Sequence, residues 1–413
     1  MNLMKKYSVT NFVMYQVSDV LFTISIKTIG MLFTWIMLNQ LGLVVELGYF
    51  LFISWALQVI TLLAFGLYGD KFSTKFYLIS FCILSLLIVS SLYFIESKNY
   101  FYWGIFFIIT SLFSILTQPI GNSIISRILY NTNTDLAFRA RGLVSSLNVV
   151  SGPAISGILI SYLAYGHILV IVFCSVVISF LGFLWVSMMP SEKKADTSKV
   201  SLKILKNNPT ELRLGAISGV FNFVIVPLVS YFIPFLIIDT MKLGAFDLGV
   251  AEFFFGAGMF LGSSVLVKFF NQMLGKGYAS LTGTILVSLG IFGVSISQSN
   301  IHINISMLIA GIGVVIYNIN TTSIRMTATP SSQRHSMESV FLSLCIIPIP
   351  LGMLFSTYSI QFLSVNSILL GMSLILLFCS ILIIKTPNFM HLCKMSSESL
   401  DGYYEKLYPR SVG

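Results

Sequence analysis

The chain has 413 residues, of which 56% are apolar and only 9% charged, and its mean hydropathy is +0.90, whereas soluble domains carry roughly 25% charged residues. A water-soluble fold has nowhere to hide that much apolar surface, so composition excludes one. The net charge of +9 does not point to nucleic acid, because Lys and Arg are scattered between apolar runs and form no continuous basic face with interleaved aromatics.

From the N-terminus, Met1 to Lys6 is short and basic. The apolar run that follows is too long for the core of a cleaved leader and has no small-residue cleavage site, so it reads as the first span. A spanning helix needs ~20 apolar residues. Runs of that kind fall at 10–38, 47–67, 76–95, 100–126, 142–164, 168–189, 214–238, 246–268, 278–297, 302–322, 338–358 and 363–385. The pattern is six, a gap and six. It predicts an all-α integral membrane fold of 12 transmembrane helices in two pseudo-symmetric six-helix bundles, residues 1–189 and 214–385. Residues 190–213 then form a cytoplasmic linker, too charged for hydrocarbon, and residues 386–413 a cytoplasmic tail that reads as polar and loosely ordered.

The distribution of basic residues tests this threading. With a cytoplasmic N-terminus, 21 of the 24 Lys and Arg residues fall in inside segments, and only Lys27, Lys98 and Lys242 do not. A wrong helix count would scramble that asymmetry, so both termini are expected in the cytoplasm. An internal repeat supports the two halves: Asn122-Ser-Ile-Ile-Ser-Arg127 ends the fourth span and Asn320-Thr-Thr-Ser-Ile-Arg325 ends the tenth. Cys82, Cys174, Cys345, Cys379 and Cys393 lie mostly inside apolar runs without CxxC spacing, so neither a disulfide framework nor a metal site is expected.

Charges inside the spans carry the functional argument, since an ion there costs about 3 kcal/mol or more and persists when it is paired, hydrated or used. Asp19 and Lys27 share the first span, eight residues and so ~12 Å apart, too far to pair directly. Glu252 in the eighth span is the expected partner of Lys27. A carboxyl held there takes up and releases a proton as its surroundings change, which is the chemistry of proton coupling. The alternative is a structural ion pair for Lys27 and Glu252, and an interfacial, hydrated position for Asp19. Gln118 and Asn122 stand one turn apart in the fourth span, with Asn222 in the seventh and Asn318 in the tenth. They line a substrate cavity or serve as hydrogen-bonding glue between helices.

Between the second and third spans stands Gly66-Leu-Tyr-Gly-Asp70-Lys71-Phe-Ser73-Thr-Lys75. It resembles the signature loop of the major facilitator superfamily, with Ser73 in place of the family's usual glycine. A tight turn, an acid near a helix N-terminus and basic partners to hold it make a clamp that is closed in one transporter state and open in the other. The fifth span contains Ser151-Gly152-Pro153-Ala-Ile-Ser156-Gly157, similar to the glycine-proline signature of exporters in that superfamily, with Asn148 and Ser156 in two of the glycine places. Gating roles are therefore expected for Gly66, Asp70, Lys71, Lys75, Arg127, Gly152, Pro153 and Gly157. The segment from Glu252 to Gly262, Asn208-Pro209 and Pro350-Leu-Gly352 look like the macrolide-efflux and siderophore-export branch.

The resemblance implies the major facilitator fold, with spans one, four, seven and ten lining the path. It implies a proton-coupled exporter of a small amphiphilic or zwitterionic molecule, metallophore-like or drug-like. Lys27 favours anionic or zwitterionic cargo over lipophilic cations. An uptake symporter on the same fold, and a membrane-embedded enzyme or receptor, are the alternatives. His167, His302, His335 and His391 are dispersed, and no arrangement of reactive groups suggests an enzyme. Expected partners are the small-molecule substrate, protons and the lipid bilayer, with no nucleic acid, cofactor or metal. A monomer in a bacterial cytoplasmic membrane is expected.

Overall fold

Uninterrupted apolar runs favour long helices, because helix is the one open structure that satisfies every backbone polar group inside hydrocarbon. The computed structural model describes residues 2–68, 73–94, 99–128, 134–187, 207–330 and 333–409, and it contains no strand among them. Ten described helical segments are long and apolar enough to cross a membrane. One of these, Ala245–Ser295, has 51 residues, about twice what a bilayer needs. It covers both runs expected at 246–268 and 278–297 and turns at Gly275, whose φ of +76° lies in the region that glycine adopts freely. The shorter apolar helix Val150–Tyr162 lies within the fifth expected run, so each of the twelve runs falls mostly on helix among the described residues.

The chain divides into two compact units, Met1–Lys193 with Pro234–Phe253 and Lys194–Ile233 with Phe254–Gly413. The first unit contains α1 (Asn2–Trp35), α2 (Val44–Tyr68), α3 (Thr74–Phe94), α4 (Tyr100–Ile128), α5 (Thr134–Tyr162) and α6 (Tyr165–Trp185). In it α1 packs against α4, α5 and α6, and Phe33 stacks on Phe107 at 4.8 Å. The second unit begins with α7 (Pro209–Pro227). α8 (Ala245–Leu261) runs from the first unit into the second, followed by α9 (Val267–Ser295) and α10 (Asn300–Ala328). Then come α11 (Arg334–Ile346), α12 (Pro348–Ser359) and α13 (Val365–Ile384). In this unit α9 packs on α10 and α13, and α7 on α11 and α12. Large apolar side chains such as Ile60, Leu87, Phe94 and Phe378 point outward, as a lipid-facing surface requires.

Helix starts follow local chemistry. Asn208 caps α7 by accepting from the Glu211 amide at 3.1 Å, and Pro209 occupies the first turn, where a missing N–H costs nothing. Asn208-Pro209 is thus a start signal for a helix. Besides the π-helical segments Leu228–Phe232 after α7 and Gly262–Leu266 after α8, two others end long helical stretches, Ile36–Gln40 after α1 and Phe235–Thr240 beyond α7. Ile36–Gln40 leads into Gly42 at φ +65° and Phe235–Thr240 into Lys242 at φ +54°. A residue with a Cβ is strained there by about 1 kcal/mol, and the exposed Lys242–Asp239 ion pair at 3.2 Å offsets little of that. Lys242→Gly is therefore expected to raise stability by about 0.5–1 kcal/mol, read as a higher thermal midpoint in detergent; an unchanged or lower midpoint would contradict the strain.

The tail departs from expectation. Instead of lying loose, it folds into three single-turn helices, α14 (Phe389–Leu392), α15 (Ser397–Leu400) and α16 (Tyr404–Leu407). Average polarity misled here, because Phe389, Leu392, Leu400 and Tyr404 are all buried. One apolar face per turn is enough to seat the segment.

Candidate functional site

Lys27 lies on α1 in the first unit, where its Nζ donates to the main-chain carbonyl of Asn148 on α5 at 2.9 Å. Gly152, one turn further along α5, makes the space for it: a methyl group at Gly152 would stand 2.7 Å from the Lys27 Cδ. The glycine of the Gly152-Pro153 pair thus seats a charged side chain as well as preceding a proline. Thr28 and Ser156 bond across the same α1–α5 contact at 2.9 Å.

Close by, α5 crosses the part of α8 that belongs to the same unit. A methyl at Gly157 would be 2.8 Å from the Ala245 carbonyl and 3.0 Å from the Gly249 Cα, and one at Gly249 would be 2.9 Å from the Pro153 carbonyl. Only small residues allow helices so near. Glu252 follows Gly249 by one turn and is half-buried. It lies within electrostatic reach of Lys27, yet the two do not close into an ion pair of 4.0 Å or less. An ammonium has three donors, and the Asn148 carbonyl takes one of those on Lys27.

Asp19 lies elsewhere in the unit and is buried among side chains. It is 5% exposed, its Oδ2 accepts from Arg141 Nη1 on α5 at 3.2 Å, and Tyr15 donates to its Oδ1 at 3.5 Å. Arg141 also donates to Gln16 and to the Thr117 carbonyl, and its guanidinium sits 5.5 Å from the centre of the Tyr15 ring. Sequence reasoning counted Arg141 only as a topology marker. Its position at the edge of an apolar run gave no other signal.

Of the remaining expected residues, Lys75 at the start of α3 donates to the carbonyls of Leu184 and Val186 at 2.6 and 3.0 Å. A cation there meets the negative end of α6 and satisfies two carbonyls that have no helical partner. Asp70 and Lys71 lie outside the described residues, as do the side chains of Gln118, Asn122 and Arg127; Gly66 lies in the last turns of α2. Asn222 Nδ2 donates to the Cys345 carbonyl at 2.8 Å, joining α7 to α11. Asn318 is exposed on α10.

The second unit holds a charge cluster that the sequence reading did not assemble. Arg325 on α10 donates from Nε to Glu211 on α7 at 2.8 Å and from Nη2 to Glu338 on α11 at 3.1 Å, and its guanidinium lies over the Phe341 ring. Glu211 is fully buried. By sequence it belongs to the charged linker 190–213, since only the Asn208-Pro209 cap signals that α7 starts two residues earlier. Among the described residues no group of three or more His, Cys, Asp or Glu is placed to hold a metal ion.

The sequence profile of the Major Facilitator Superfamily matches residues 17–348. No curated protein sequence matches the chain. Among solved structures, the chain is similar to a POT family transporter in complex with a thioalcohol-conjugated peptide, at 12% identity and a TM-score of 0.71, over 93% of this chain and 96% of that one. It is similar to the nucleoside transporter NupG at 14% identity and a TM-score of 0.66, over 94% and 100% of the two chains. The inward-open xylose transporter XylE from E. coli matches at 10% identity and a TM-score of 0.67, over 92% and 96%. At these identities the likeness is one of fold.

Proposed function

We propose that this chain, which belongs to the major facilitator superfamily and so is a secondary active transporter working by alternating access, exports a small zwitterionic molecule in exchange for protons, with Lys27 and Glu252 at the site. The observation that supports this reading is the unclosed pair. Lys27 is held in place by the Asn148 carbonyl and the Gly152 slot, while Glu252 stays more than 4.0 Å away. Cargo with a carboxylate for Lys27 and a cationic group for Glu252 completes both charges at once. A proton on Glu252 completes the site without cargo. The two fillings exclude one another, which is the condition for exchange.

By sequence Lys27 and Glu252 come from different six-helix halves, residues 1–189 and 214–385, although they pack in one compact unit. In this reading the halves rock about the site, the linker 190–213 joins them, and both termini face the cytoplasm of a bacterial cell. Metallophores and related efflux cargo fit the zwitterionic class.

The test uses proteoliposomes loaded with a pH-sensitive dye and a panel of carboxylate-bearing zwitterions, simple carboxylates and lipophilic cations. Proton movement is expected on addition of zwitterions and not of lipophilic cations. Flux indifferent to an imposed proton gradient would remove the coupling, and flux only on addition from the outside with inward protons would make the chain an importer.

A further inference from the structure

The folded tail joins the buried cluster of the second unit. Tyr404 is fully buried and its hydroxyl donates to Glu211 Oε1 at 3.0 Å. Burial, with the Glu211 charge adding to it, raises the Tyr404 hydroxyl well above its ordinary range, so it stays a donor. Around this contact the tail makes others. Asp401 pairs with Arg334 at the start of α11, the Gly402 amide donates to the Thr327 carbonyl at the end of α10, and Tyr408 bonds Thr210 at the start of α7. Met390 and Cys393 lie against Gly277 of α9. The tail leaves directly from α13, so it touches or continues five helices at one end of the unit.

Two features make this an all-or-none attachment. Each helix of the tail has four residues, far below the length at which a helix persists in water, so the segment has no structure to keep once it leaves. The cluster beneath it is nearly complete alone: Arg325 already serves Glu211 Oε2 and Glu338 Oε2, and only Oε1 of Glu211 depends on the tail. Departure exposes one carboxylate oxygen to water and leaves the ion pairs standing.

We propose that residues 387–409 are a releasable strap, with the Tyr404 hydroxyl on Glu211 as its catch, and that the docked strap fixes the ends of α7, α10, α11 and α13 and the Gly275 turn of α9 so that they move as one piece. The strap acts on the second unit whatever the transporter carries, so it stands or falls separately from the cargo.

Cys393 reports on docking. Burial pushes its thiol up to about 12, against the pull of Lys276, and a thiol in that state reacts slowly. The experiment takes a chain whose only cysteine is Cys393 (Cys82→Ala, Cys174→Ala, Cys345→Ala, Cys379→Ala) and measures alkylation by N-ethylmaleimide at neutral pH in detergent. Alkylation of the parent is expected to be slow. Tyr404→Phe, which removes only the catch, is expected to speed it about tenfold, the equivalent of one hydrogen bond to a charged group. Hydrogen exchange should rise together at the first turns of α7 and α11 and the last turn of α10. A parent that reacts as fast as a free thiol, or a Tyr404→Phe chain that reacts like the parent, would overturn the strap. Faster exchange confined to the tail would overturn its hold on the helices.

Discussion

Proton-driven flux is expected to fall about 100-fold in Glu252→Gln, the scale lost when a positioned proton carrier is removed. Glutamine keeps the shape and one acceptor oxygen but cannot exchange a proton, so the site is left permanently in its proton-filled condition. Net transport against a gradient then stops, because nothing returns the empty carrier to the state that accepts cargo. Lys27, seated on Asn148 and Gly152, keeps its place. The measurement is paired: net efflux and dye-reported proton movement in the same vesicles, for the parent and the variant. A variant that pumps at the parent rate would take Glu252 out of the mechanism and leave it a structural acid. The cargo-induced thermal shift is expected to be lost as well, because a site held in its proton-filled condition excludes cargo, and a full shift in the variant would contradict that exclusion.

The second large effect concerns stability. Arg141→Met deletes the cation that Asp19 depends on, with both side chains 7% exposed or less. Solvent screening is weak there, and a buried carboxylate left without its partner costs about 3–5 kcal/mol. The loss should appear as a thermal midpoint lowered by several degrees in detergent. Asp19→Asn added to Arg141→Met should recover most of it, since an amide has no charge to strand. If the double variant is as unstable as the single one, the loss comes from packing around Tyr15 and Gln16 instead of from the stranded charge.

How much of this was legible follows from range. Span positions and the membrane class rest on composition and on runs of about twenty residues, which local sequence states directly. Lys27, Glu252, Gly152 and Gly157 stood out because charge and small residues are rare inside such runs. Their arrangement did not. That Gly152 seats Lys27, or that Gly157 meets Gly249 across helices, depends on which faces turn toward each other, and the spacing along one helix cannot say that. Arg141 and Glu211 were missed for a different reason. Both lie where an apolar run meets a charged segment, and there a residue counted for topology looks the same as one drawn into the interior. The tail misled because its mean polarity concealed the spacing of Phe389, Leu392, Leu400 and Tyr404.

The π-helical segment after α1 has a counterpart two hundred positions on. Leu41 donates to Ile36 and Leu43 to Met37 in one, and Met241 to Leu236 and Leu243 to Ile237 in the other, each ahead of a left-handed residue, Gly42 or Lys242. A π-helical turn widens the spiral by one residue, so each stretch delivers the chain to its next helix through the same hydrogen-bond pattern. Gly42 takes the left-handed position at the exit freely, while Lys242 takes it at a cost.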